Sequence, residues 1–377
     1  MPIIMTSPDA VLRAGVPDPA LVQVLKDAVA AGHPVGLISN HREPTWFAPT
    51  FGGSGVQFLQ SIGRQSGDVV RQNAAKFKLQ PFDVVVLATK GEDVQMGKNG
   101  GALLVGASWS ADAQVKALGV GVADAAQFRE VTQLTAAWSG QWWFAAAAPR
   151  YRVLALSDLS GYGRSVTQQD FARRLTATVK NGGTRLTALL AITARSLLMD
   201  GTHAVKDLLW GVYPSSSSAN DDHDTLCDFT HGLRTTVSRV RFSARGEPLF
   251  IRHKASAKRS TGGGGDRTDP TEQMLTIHVN PAYKSRLAGK HVVVVDDCTT
   301  YGVSFGVAAA FLLKGGAASV TGVALGKFGN QLRHYEVDIL TDPFKPVPAG
   351  GFNLVSTGGL AGSTNSISQA ALHALIP

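Results

Sequence analysis

The chain has 377 residues, of which 44% are hydrophobic and 17% charged, and its 36 lysines and arginines outnumber 28 acids for a formal net charge of +8. That length holds two ordinary domains, and the composition is that of a folded protein, which excludes a largely disordered chain. There is no apolar run of about 18 residues and no basic-flanked apolar leader, so neither a membrane partner nor export is expected and the cytoplasm is the expected location. Two cysteines, Cys227 and Cys298, in so long a chain read as reduced thiols.

In chain order, residues 21–31 carry the spacing of an amphipathic helix, 34–39 a short strand, 56–78 a mostly helical stretch, and 83–88 and 102–107 two buried strands. This is the alternation of a Rossmann-like α/β domain, expected over residues 1–145. Residues 139–150, with Trp142, Trp143, Phe144 and an alanine run, read as a passage to a second domain over 151–377. Helical stretches follow at 167–179 and 184–199. Residues 206–213 read as a strand that runs into Pro214 and four serines, with a helix from about Asp224. A strand at 248–254 leads into a basic loop. Between Arg245 and Arg267 there are six lysines and arginines against two acids, and the same window holds four successive glycines, 262–265. A flexible cationic loop suits a lid over a polyanion better than a docking face for nucleic acid. Residues 319–325 form a further strand ending in Gly326-Lys327-Phe328-Gly329.

The most informative stretch is 292–304, Val-Val-Val-Val-Asp-Asp-Cys-Thr-Thr-Tyr-Gly-Val-Ser. Four valines are too few for a helix and too apolar for a half-exposed strand, so they predict a central parallel strand, with a helix over 306–313 behind it. The turn then lies at a strand's carboxyl end, where open α/β sheets bind ligands. Asp296 and Asp297 can accept hydrogen bonds from the vicinal hydroxyls of a polyol. The amides from Thr299 to Ser304, the hydroxyls of Thr299, Thr300 and Ser304, and the helix amino end suit a phosphate. Diol and phosphate on one loop describe a ribose 5-phosphate site. The plainer alternative is a strand end and a helix cap with no ligand.

This segment resembles the phosphoribosyl pyrophosphate (PRPP) motif of type I phosphoribosyltransferases: four hydrophobic residues, two acids, then Thr-Thr-x-Gly-x-Ser/Thr. The resemblance implies a central parallel sheet and a Mg²⁺-dependent transfer of the 5-phosphoribosyl group from PRPP to a nitrogenous acceptor, with release of pyrophosphate. It implies that Asp296 and Asp297 grip the ribose hydroxyls, and Mg²⁺ through Mg-PRPP, while Cys298, Thr299, Thr300, Tyr301, Gly302, Val303 and Ser304 surround the phosphate. Ser215, Ser216 and Ser217, with Ser218, become candidates for the pyrophosphate. Lys254, Lys258 and Arg259, with Arg252 behind them, become the catalytic flap. Lys327 and Phe328 become the base contacts, and the helices at 167–179 and 184–199 a hood over the base. Family members often pair, so a homodimer is compatible with it.

The first domain carries a second, looser resemblance. Residues 35–40 and 83–96 are similar to motifs of haloacid-dehalogenase-like phosphatases, in which Ser39 would touch a phosphate, Lys76 or Lys78 neutralise it, and Glu92 and Asp93 hold Mg²⁺. The Asp-x-Asp nucleophile pattern is missing from the first strand, so that domain is expected to be degenerate. Fusions of these two kinds look like those of stress operons associated with tellurium resistance. Besides the transferase, three roles stay open: a PRPP sensor without turnover, a phosphatase, and a nucleic-acid binder.

Overall fold

The computed structural model describes residues 2–138, 142–182, 184–221, 223–240, 247–256 and 266–375. The chain is mixed α/β and falls into two compact units. The first comprises Met1–Gly140, Leu186–Ala204 and Gly232–Ala244, the second Gln141–Arg185, Val205–His231 and Arg245–Pro377.

In the first unit, strands β1 (Ile3–Thr6), β4 (Val35–Ser39), β5 (Gln57–Gln60), β6 (Val84–Ala88), β7 (Leu103–Ala107) and β8 (Gly121–Val122) form one sheet in the order β5-β4-β1-β6-β7-β8. Every pairing in it is parallel. A short hairpin of β2 (Leu12–Arg13) and β3 (Val16–Pro17) stands apart from it. The stretch 56–78, expected to be mostly helical, begins instead as the edge strand β5 and turns helical only over Asp68–Lys76. Half-buried Phe58 and Leu59 sit between exposed Gln57 and Gln60, so the strand shows no clean alternation to read.

In the second unit, strands β9 (Phe144–Ala148), β10 (Tyr151–Asp158), β11 (Leu208–Val212), β14 (His291–Thr299), β15 (Ser319–Lys327) and β18 (Gly362–Thr364) order as β11-β14-β15-β10-β9-β18. The first four are mutually parallel, and β9 runs antiparallel to both β10 and β18. Two ribbons complete the unit: β12 (Phe250–Arg252) with β13 (Ile277–Val279), and β16 (Arg333–Ile339) with β17 (Phe352–Gly359). The valines of β14 are all at most 2% exposed. Val292 and Val294 pack with Phe305 and Phe311 of the helix Val303–Lys314, and by strand alternation Val293 and Val295 face the opposite side. Burial on both faces explains the unbroken apolar run.

Two expectations give way here. Residues 139–150 are more than a passage, because Phe144–Ala148 is a sheet strand and Trp143 and Phe144 are buried in the second core. Five residues, four of them alanine, carry too little strand propensity to be read as one. The helix Thr184–Met199, expected with Val166–Asn181 in the second domain, belongs from Leu186 onward to the first unit. There Trp138 Nε1 donates to Ser196 Oγ at 3.0 Å and Arg195 pairs with Asp83 at 2.6 Å.

Gly322 of β15 shows how closely helix and sheet approach. A Cβ at that position would lie 2.6 Å from the ring of Phe305, itself fully buried. Gly322→Ala is therefore expected to destabilise the protein by about 1–3 kcal/mol through overpacking. An unchanged midpoint in urea unfolding would mean that the ring can move aside.

Candidate functional site

Because β11, β14, β15 and β10 are parallel neighbours, the segments that leave their carboxyl ends emerge along one edge of the sheet. These are the serine turn after β11, the acid pair and threonine turn at the end of β14, Lys327 and Phe328 at the end of β15, and Asp158 at the end of β10 with the segment to Arg164 that follows it. The topology thus brings together serine, acid and threonine segments some 80 residues apart.

The strand β14 runs further than expected, with Asp296 paired to Ala324 and Cys298 to Gly326 in the ladder. Asp296 is 9% exposed. Burial, followed by the charge of the neighbouring Asp297, pushes its carboxyl well above the usual carboxylate range. The Asp297 amide donates to Asp296 Oδ1 at 2.9 Å, and the nearby Ser304 hydroxyl favours the charged form of this carboxylate. The two acids therefore do stand side by side.

The turn closes on itself. Gly302, with φ of 81°, lies in the left-handed region that favours glycine, and its amide donates to Thr299 Oγ1 at 3.1 Å. Thr299 is 6% exposed, so its hydroxyl shapes the turn rather than reaching outward. Val303 likewise sends its side chain into the core and has only its amide to offer. Thr300, Tyr301, Ser304 and Cys298 are half-buried. The helix Val303–Lys314 starts at Gly302 with no side-chain cap. Its first amides have no intrahelical acceptor and lie next to the acids, so they could receive an anion.

Lys327 is a correction. It is fully buried, its Nζ donating to Thr300 O and Gln331 O at 2.6 Å each and lying 4.9 Å over the ring of Phe144. A side chain spent in this way meets no base. It straps the threonine turn to the turn after β15, while Phe328, 39% exposed, remains at the surface. Desolvation lowers the Lys327 pKa to about 8, against a partial opposing effect of Asp158.

Arg252 is corrected in the same sense. It is 5% exposed, with Nη2 donating to Pro214 O and Gln273 Oε1 at 3.0 Å each and Nη1 to Thr276 Oγ1 at 2.9 Å. It braces the serine turn from behind. Burial lowers its pKa, and Asp296 is among the charges that oppose the shift. Asn220, which the sequence offers only as a cap to the serine linker, brackets the same residue. It accepts from Arg252 N at 2.7 Å and donates to Arg252 O at 3.0 Å. Its only sequence signal is an asparagine at a turn, borne out by its φ of 58°.

In the serine turn, Ser218 N donates to Ser215 O at 3.2 Å, and Ser256 N reaches across to Ser216 O at 3.0 Å. Ser215 and Ser217 are exposed, Ser216 and Ser218 half-buried. Exposed Lys254 stands on the segment that leaves β12. Lys258, Arg259 and glycines 262–265 lie outside the described residues.

Among the described residues no cluster of three histidine, cysteine or acidic side chains is placed to cage a metal ion. Mg²⁺ does not require one. It keeps most of its waters and binds through one or two carboxylates plus substrate phosphates, a role that adjacent Asp296 and Asp297 fit.

In the first unit, Asp93 is fully buried and already satisfied by Arg64, by Ser7 Oγ at 3.0 Å and by Thr89 N at 2.9 Å. Expected there as a Mg²⁺ ligand, it has its charge paired by Arg64, which sequence reasoning missed. Lys76 and Lys78 are exposed, Glu92 is half-buried, and Ser39 Oγ accepts from His41 N at 3.0 Å.

No family model matches the chain, and no curated protein matches it. A crystal structure of a predicted phosphoglycolate phosphatase from Haemophilus somnus 129PT is 18% identical over 33% of this chain, with a TM-score of 0.27. The chain spans 61% of that structure's length, and so loose a likeness decides neither fold nor activity.

Replacing Lys327 by methionine strips donors from the Thr300 and Gln331 carbonyls and is expected to cost about 1–3 kcal/mol at pH 7. Unfolded, this lysine holds its proton to its ordinary 10.5; folded, it releases it near 8. Between these values the unfolded chain binds more protons, so this group makes stability rise with pH. The advantage of wild type over Lys327→Met should widen from pH 8 towards 10.5 in urea unfolding, and a gap that narrows would contradict the buried placement.

Proposed function

We propose that the second unit transfers a 5-phosphoribosyl group from PRPP to a nitrogen nucleophile and releases pyrophosphate. The observation that carries this is the end of β14, where a carboxylate pair meets an uncapped helix amino end across a left-handed glycine. Acids for a sugar diol and free amides for a phosphate lie within one turn of chain, beside a serine turn on the neighbouring parallel strand. The fold this implies is that of a type I phosphoribosyltransferase.

In this reading Asp296 and Asp297 accept hydrogen bonds from the ribose hydroxyls, and the amides at the start of the helix Val303–Lys314 hold the 5-phosphate. The serine turn, braced by Arg252, presents hydroxyls and amides to the pyrophosphate as it departs with the C1–O electron pair. Lys254, at the entrance to the basic segment, adds positive charge there. Lys327 keeps the phosphate turn in shape from beneath. Mg²⁺, when bound through the acids and the substrate, neutralises phosphate charge. Position and electrostatics carry the rate, since no side chain need form a covalent intermediate.

For the first unit we propose no turnover. Ser7 follows β1 where a phosphatase of the kind it resembles would carry its acid nucleophile, and Asp93 is paired with Arg64.

Asp296→Asn and Asp297→Asn are each expected to abolish measurable PRPP binding in Mg²⁺ buffer by titration calorimetry, with the thermal midpoint held or raised for Asp296→Asn because a buried charge is removed. Unchanged affinity in both variants would defeat the assignment. PRPP uptake without pyrophosphate release from any acceptor would instead leave a sensor.

A further inference from the structure

Beyond the acid pair, the same edge of the second unit carries an open cleft of about 950 Å³. Asp158, Ser160 and Arg164 after β10, Asn330 after β15, and Ser366 and Gln369 of the helix Ser366–Leu375 line it. Lys327 joins it to the phosphate turn, since the lysine's carbonyl accepts from Leu159 N at 2.9 Å while its Nζ holds Thr300 O. In the ladder Asp158 pairs with Lys327 and Lys327 with Thr299. The cleft floor thus lies two strand spacings, about 10 Å, from the phosphate turn. That is within the span of a ribose phosphate anchored on the turn.

The frame of the cleft is already bonded. Gln369 Oε1 accepts from Asp158 N at 2.7 Å, Gln168 Nε2 donates to Asp158 O at 2.9 Å, and His373 Nε2 meets Gln168 Oε1 at 2.8 Å. The aromatic surface is also spent on the fold, with Trp143 only 7% exposed and the His373 ring stacked on Phe171 at 4.3 Å. What the cleft offers a ligand is a pair of opposite charges. Asp158 Oδ1 accepts from Ser160 N, but Oδ2 and Arg164 Nη2 stand 3.8 Å apart, too far for a hydrogen bond. The Arg164 side chain is 57% exposed. A carboxylate at the floor and an exposed guanidinium at the rim, with hydroxyls around them and the lining rings of Trp143 and His373 packed into the fold, match a small zwitterion, while the exposed rings of Tyr162 and Phe328 are not among the lining residues.

The geometry points to an α-amino acid as the acceptor, its carboxylate on Arg164 and its amine directed by Asp158. This rests on the transferase reading of the neighbouring turn. The neutral amine nitrogen forms the bond to ribosyl C1 as the C1–O bond breaks, and pyrophosphate leaves with that electron pair. The surplus amine proton passes to the Asp158 carboxylate and on to solvent.

The test uses the full-length chain with Mg²⁺ and PRPP. Pyrophosphate release is followed with each of the twenty standard amino acids, and separately with adenine, hypoxanthine, uracil and nicotinate. At least one amino acid is expected to support release. Arg164→Ala should raise its KM by about ten-fold or more with kcat changed far less, and Arg164→Lys should recover part of the loss. PRPP affinity by calorimetry should stay within about two-fold in both variants, since Arg164 is outside the phosphate turn. Release with a planar base alone, no release with any amino acid although PRPP binds, or a KM indifferent to Arg164→Ala overturns the acceptor assignment and leaves the transferase reading standing. Failure of the wild type to bind PRPP overturns both.

Discussion

Two buried cations govern the working edge of the second unit. Arg252 and Lys327 give donors to carbonyl oxygens of the turns they support, so neither reaches solvent, and each lies near an acid that is itself buried. Arg252 shares a field with Asp296, and Lys327 with Asp158. A buried charge of this kind is costly unless several dipoles and an opposing charge surround it. Satisfying it fixes the turns: Pro214 and its serines on one side, Thr300 and Gln331 on the other.

This arrangement explains why part of the site was legible in the sequence and part was not. The end of β14 could be read because its signal is local. Four valines demand burial on both faces, two acids after such a run need a reason, and a glycine at the helix start permits the left-handed turn. Lys327 and Arg252 were recognised as important, but their direction was not. A lysine after a strand looks the same in sequence whether it points at a ligand or back under a neighbouring turn, and only the crossing from β14 to β15 brings Thr300 O within its reach. Asp158 and Arg164 left even less trace. Their surroundings come from a helix some 200 residues later in the chain, closing on β10 through Gln168 and Gln369.

The fold was legible to a similar depth. Strands with apolar runs, such as Val84–Ala88 and His291–Thr299, could be placed from composition and length. The edges could not. Gln57–Gln60, Phe144–Ala148 and Gly362–Thr364 are edge strands or lie beside one, with glutamine, alanine or glycine where a buried strand would carry branched residues. Their pairing is imposed by partners rather than by propensity. Gly362 illustrates this, because any Cβ there would meet the Phe144 ring at 2.4 Å, so β18 can approach β9 only as glycine.

On the proposed reading, the electrostatics of Asp296 would favour a ligand that brings hydrogen-bond donors or a cation. Burial and the adjacent Asp297 disfavour its ionised form, and the opposing effects of the Asp297 amide and the nearby Ser304 hydroxyl do not offset them. Without a ligand, the pair holds its second charge poorly. A diol donating two hydrogen bonds, or a divalent cation bridging from a phosphate, supplies the missing compensation, so binding and ionisation strengthen each other. An anion offered alone would meet the amides of the helix end but gain nothing from the acids. On the proposed reading, both parts of the turn are engaged together only by a molecule that carries a vicinal diol and a phosphate at the spacing of one sugar ring, and that double requirement would separate this turn from an ordinary strand end followed by a helix cap.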